Sequence, residues 1–144
     1  MKEGAKKKRP PKAIVKKNGG LSFTSGIIKA KMPHHNKLPI TRRVLVSNDF
    51  FKNANVHVAV HYVKGIENND ERYTQLHTHD VDEINLILGD GDCDSLVYRV
   101  RTDSEEFILK SPQAVYIPKG TPHAAEVIKG KGMFLCLVFK GSLE

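Results

Sequence analysis

His77, His79 and Glu83 fall close together in the stretch Gln75-Leu76-His77-Thr78-His79-Asp80-Val81-Asp82-Glu83-Ile84-Asn85. Residues two apart on a strand face the same side, so the two imidazoles project together and can share one ion. The Asp80-Val81-Asp82 turn reverses the chain and lets Glu83 open the next strand as their neighbour. Two neutral imidazoles and a carboxylate make the facial set that suits Fe(II), Mn, Co, Ni or Zn and leaves coordination positions open. A second stretch, Tyr116-Ile117-Pro118-Lys119-Gly120-Thr121-Pro122-His123, pairs a tight Pro-Gly turn with a histidine that begins a strand. His123 is placed to close the metal site from a distant strand.

The elements that must position these residues read as short strands. Asn55 to Val63 is rich in β-branched residues, with Val56, Val58, Val60 and Tyr62 on one face and His57 and His61 on the other. Further strands are predicted at Gln75–His79, Glu83–Leu88, Leu96–Thr102, Glu106–Lys110, Ala114–Ile117, His123–Ile128 and Met133–Lys140. Gly89, Asp103-Ser104, Pro112, Gly120 and Gly130-Lys131-Gly132 separate them as turns. Arg42 to Asn53 could hold one helical turn. Many short strands with polar turns predict an all-β sandwich or barrel.

The net charge of +7 is a property of the leading segment. Residues 1–43 carry 13 of the 23 Lys and Arg against one acid, a net +12, whereas residues 44–144 carry a net −5. Residues 1–20, with Lys6-Lys7-Lys8-Arg9-Pro10-Pro11-Lys12, read as a largely disordered basic tail, 21–43 as an arm or edge strand, and 44–144 as the barrel domain. The tail is either a solvated appendage or a weak binder of anionic partners. It has no aromatic residue to stack on a base, so neither a specific nucleic acid nor a membrane partner is expected. No apolar run approaches a membrane span and the start has no signal-peptide core, while two cysteines exclude a disulfide scaffold and fit the cytoplasm. Asp80, Asp82 and Glu83 cluster in the acidic part, where they would attract a cation.

The two stretches together resemble the paired motifs of the cupin superfamily, His-x-His-x-x-x-Glu followed by Pro-x-Gly-x-x-His, and the resemblance covers roughly residues 44–140. It implies a cupin-type β-barrel, or double-stranded antiparallel jelly roll, with a divalent transition metal held by His77, His79, Glu83 and His123. The 39 residues between Glu83 and His123 suit a small cupin. The sequence departs from the family pattern at Glu71, Pro112 and Val127, and at the glycine that closes the first motif, where Gly89 and Gly91 flank the expected position. These positions concern turn shape rather than metal chemistry. The resemblance also implies a homodimer.

One fold hosts many chemistries. The function expected first is that of a metal-dependent dioxygenase, an oxidoreductase acting on a small organic molecule, with Fe(II) as the metal. Glu83 would then be the anionic ligand and catalytic carboxylate. Isomerase, decarboxylase or lyase chemistry runs on the same ligand set. A non-catalytic barrel that senses a small ligand is the alternative of a different class, and a storage-like protein a third. No Ser-His-Asp arrangement, phosphate loop or dinucleotide fingerprint is recognisable. Gln75 and Asn85 share the ligands' parity and are candidates to orient an imidazole. His57 and His61 either line the pocket or face solvent, and Tyr62, Tyr98, Tyr116 and Phe107 either wall the cavity or fill the core. His34 and His35 read as surface residues, Cys93 as exposed and Cys136 as core.

Overall fold

The computed structural model describes residues 38–141 and, as backbone only, three strands before them. The elements are β1 (Ile14–Asn18), β2 (Leu21–Ser25), β3 (Ile28–Ala30), β4 (Ile40–Val46), β5 (His57–Ile66), β6 (Glu83–Gly89), β7 (Leu96–Arg101), β8 (Glu106–Lys110), β9 (Gln113–Ile117) and β10 (Ala124–Val138). β1 pairs with β2, so regular pairing begins inside the segment read as tail, while residues 1–13, 19–20, 26–27, 31–37, with His34 and His35, and 142–144 lie outside the described residues. The other eight strands form one antiparallel sheet in the order β3-β4-β5-β10-β6-β9, with β7 joining β10 to β8. No helix among the described residues is long and apolar enough to cross a membrane.

β10 organises the molecule. Its first half pairs with β7 and its second half lies between β5 and β6, so one strand belongs to both layers. The sequence predicts two strands here with a turn at Gly130-Lys131-Gly132. The chain instead runs through, with register shifts between Val127 and Lys129 and between Gly130 and Gly132. Gly130 and Gly132 adopt φ of 105° and 148°, which L side chains rarely take up. The glycines therefore bend a continuous strand instead of ending it. Across the bend, Tyr98 of β7 stacks on Phe134 of β10 at 4.3 Å, and Val63, Ile87, Leu96 and Val127 close the core around them.

Three further expectations are refined. The stretch Arg42–Asn53 begins as β4, a half-buried strand paired with β5 that crosses the boundary drawn at residue 44, and its one helical-type turn is confined to Ser47–Phe51, where the Phe51 N–H donates to the Ser47 carbonyl (2.9 Å). The inward face of β5 is His57, Ala59, His61 and Val63, since His61 lies opposite Phe134 and His57 opposite Val138. Val56, Val58, Val60 and Tyr62 share the other face. Of the aromatic residues considered as cavity walls, Tyr98 alone is buried. Phe107 and Tyr116 are exposed, and Tyr62 pairs with Met133 on the outward face. The exposed Cys93 and the core-packed Cys136 stand as expected.

His61 supplies a pH test of this core. Burial, with help from the Arg42 charge, lowers its pKa to about 4. Between that value and its ordinary 6.5 the unfolded chain binds more protons than the folded one, so folding stability falls as pH drops through this window. The loss expected from this group is on the order of 3 kcal/mol. Urea midpoints at pH 7 and pH 4.5 should separate strongly in the wild type and less in His61→Gln. An equal separation in both would remove His61 from the account.

Candidate metal centre

The segment carrying His77 and His79 is extended but is not the predicted strand, since its single ladder contact is the bridge between His77 and His123. Pro118 and Pro122 have no N–H to donate and cannot extend the pairing. Side chains attach the segment to β10 instead. Asn69 donates to the Val127 carbonyl (2.8 Å), Tyr73 Oη accepts from the Val127 N–H (2.9 Å) and Thr74 donates to the Ala125 carbonyl (3.2 Å). Arg101 donates to the Thr74 carbonyl (2.7 Å) while pairing at 2.6 Å with Glu126, the most deeply buried carboxylate. Reciprocal backbone bonds of 3.1 and 3.0 Å then lock His77 to His123, and Gly120 N–H donates to the His79 carbonyl (2.7 Å).

His77, His79, Glu83 and His123 each offer one ligand atom, all within 4.8 Å of one another. The ring centroids of His77 and His123 are 4.4 Å apart, those of His77 and His79 5.1 Å and those of His79 and His123 5.5 Å. Glu83 Oε2 lies 3.0 Å from His123 Nε2 and 3.1 Å from His79 Nε2. Glu83 and His123 are buried, His79 is half-buried and His77 is exposed, so the group opens on one side to solvent.

The neighbouring hydrogen bonds suit an ion. His77 Nδ1 is 2.9 Å from the Gln75 carbonyl and His123 Nδ1 is 2.8 Å from that of Thr121. A proton held at each Nδ1 leaves Nε2 directed at the centre, where that of His123 meets Glu83. Burial opposes ionisation of Glu83, but hydrogen bonds from His123, His79 and Asn85 outweigh it and hold the carboxyl far below the usual range. For His123 burial works against protonation, and its bond to Glu83 reverses the balance and raises the pKa. Burial lowers that of His77. Three imidazoles and an ionised carboxylate converging on one point are a donor set for a divalent transition metal.

Two neighbours act differently from their sequence roles. Asn85 donates to Glu83 Oε1 at 2.7 Å and so orients the carboxylate, not an imidazole. Gln75 orients His77 through its backbone carbonyl. The acidic cluster also divides. Asp80 pairs with Lys140 at 2.9 Å, and Asp82 accepts from Lys119 N–H (2.9 Å) and from the Tyr116 hydroxyl. Asp82 thus joins the two motif loops, a role that sequence spacing does not show because Tyr116 and Lys119 meet it only through the pairing of β6 with β9.

The fold is of cupin type. No family model and no curated protein matches the chain. Among solved structures it is similar to a Salmonella typhimurium chain named for ethanolamine utilization (protein Q), with a TM-score of 0.59 at 16% identity over 93% of this chain and 98% of that one. An RmlC-like cupin from Shewanella frigidimarina is similar at TM-score 0.47 and 14% identity over 78% and 97% of the two chains. A variant of Bacillus subtilis oxalate decarboxylase gives 0.48 and 21% over 78% of this chain, which spans 29% of that protein. At these identities the likeness is one of fold.

Proposed function

We propose that the chain is a metal-dependent enzyme of the dioxygenase type, acting on a small organic molecule with Fe(II) held by His77, His79, Glu83 and His123. The observation that carries this reading is the convergence of the four ligand atoms within 4.8 Å, open to solvent on the His77 side. A bound redox-active ion supplies open coordination positions and electron transfer to O₂. The chain's own residues do the rest. Gln75 and Thr121 carbonyls hold two imidazoles in one orientation, and Asn85 holds Glu83 as the single negative ligand. The hydrogen bonds that keep Glu83 ionised favour its role as ligand over that of proton acceptor.

Oxygen consumption by Fe(II)-loaded protein, measured against a panel of small organic acids, tests the activity. Uptake matched to acid consumed, and reduced at least about a hundredfold in His79→Ala, is the expected result. Acid bound without turnover would identify a non-catalytic binding barrel, and acid consumed without O₂ uptake would identify isomerase, decarboxylase or lyase chemistry.

A further inference from the structure

Arg42 lies opposite His61 across the β4–β5 pair, His61 lies opposite Phe134, and Phe134 lies opposite Ile87. Directly paired residues share a sheet face, so Arg42 is on the face that carries Glu83 and Asn85. It is half-buried, and burial lowers its pKa. Among the described residues, the titratable groups that interact with it are His57, His61 and Cys136, none of which is a carboxylate. Arg99 and Arg101, by contrast, reach Glu106 and Glu126. Withdrawing a guanidinium from water without an anionic partner is costly, so such a residue points to an anion supplied from outside the chain.

The same interior holds polar atoms without partners. His57 Nδ1 and the Tyr98 hydroxyl are both buried and make no hydrogen bond, although His57 is 6% exposed and Tyr98 0%. Buried polar groups are ordinarily satisfied, which makes this pair a second sign of a polar ligand. Ala59, a small residue, lies between His57 and His61 on the inward face. Arg42 is also the single Lys or Arg on the inward faces of β4, β5, β6 and β9, a match for one negative charge.

We infer that the interior beside the metal centre holds the carboxylate of an elongated small acid on Arg42, with the acid's metal-binding group several bonds away. The inference rests on the metal-centre reading above for the position of the reacting end. β4 and β6 are three strand spacings apart, about 14 Å between backbones, and Arg42 stands level with Ile87, four residues along β6 from Glu83, so an acid of several carbons suits the span better than a two-carbon one. His57 and Tyr98 then offer hydrogen bonds to polar groups along the acid.

The test titrates adipate into full-length Zn-loaded protein by calorimetry, with inorganic phosphate as the competing anion. Arg42→Met should weaken adipate at least about tenfold, Arg42→Lys should recover part of the loss, and Arg43→Met, on the opposite face, should change it less than about twofold. Equal adipate affinity in Arg42→Met and wild type would overturn the inference, as would phosphate binding more tightly than adipate. Failure of the metal reading shows separately, as no bound zinc in any of the proteins. In that event formate titrated into the metal-free protein should still shift the His61 amide resonance in wild type and not in Arg42→Met.

Discussion

Purified without chelator, the wild-type protein is expected to carry about one divalent ion per chain, and His77→Ala and His123→Ala are expected to lose it. Each substitution removes one of four converging donors, and even a residue that merely orients a ligand typically costs 10–100-fold in affinity, so a ligand should cost on the order of a hundredfold or more. The two variants differ usefully. His77 is exposed and its truncation leaves the core alone, whereas His123 is buried and bridges Glu83. Asp80→Asn is the contrasting variant, because Asp80 is paired with Lys140 and is not one of the four converging ligands, so its metal content should match the wild type. Elemental analysis with a far-ultraviolet circular dichroism check decides the matter. Wild-type metal levels in both histidine variants would remove these four residues from the site. Bound metal should also raise the melting temperature, and chelation should lower it, because the ion binds the folded chain alone.

Gly130→Ala is expected to be strongly destabilising although it adds only one methyl group. An added Cβ would sit 2.0 Å from the Ser95 carbonyl oxygen and 2.8 Å from Leu96 Cα, both backbone atoms that cannot turn aside. The φ of 105° adds strain of its own. The expected loss is about 3 kcal/mol or more, a fall in melting temperature of roughly 10 °C. Gly65→Ala isolates the conformational part, since Gly65 has φ of 128° with nothing within 4 Å of the added atom. It should cost about 1–2 kcal/mol. Urea denaturation of both variants checks the pair, and a Gly130→Ala protein within 1 kcal/mol of wild type would mean that the bend in β10 tolerates other geometries.

The ligands and the strand class were legible because both follow from local rules. Short alternating runs between turn residues identify strands whatever their partners, and β8 runs from Glu106 to Lys110 as its pattern predicts. His77, His79 and Glu83 stand out by close spacing, and Pro118, Gly120 and His123 by a turn whose geometry Pro and Gly dictate. Arg42 was less visible. The alternation of Ile40, Arg42 and Val44 would have marked a strand face, but a cation among apolar residues reads as easily as the polar side of a helical turn.

By itself, the sequence determined the composition of the site and the all-β class, since residue type, short spacing and turn propensity act within a few residues of chain. Tertiary structure alone decided how those parts meet. Whether Gly130 and Gly132 end a strand or bend one depends on β7, β5 and β6 pairing with the two halves of β10. Whether His77 joins a ladder or a single bridge depends on the prolines opposite it. Which face of β5 turns inward, bringing His57, His61 and Arg42 into the interior and leaving Tyr62 outside, is set by register with strands more than 60 positions away in the chain. A one-residue slip would reverse every one of those side chains. Register is a long-range property.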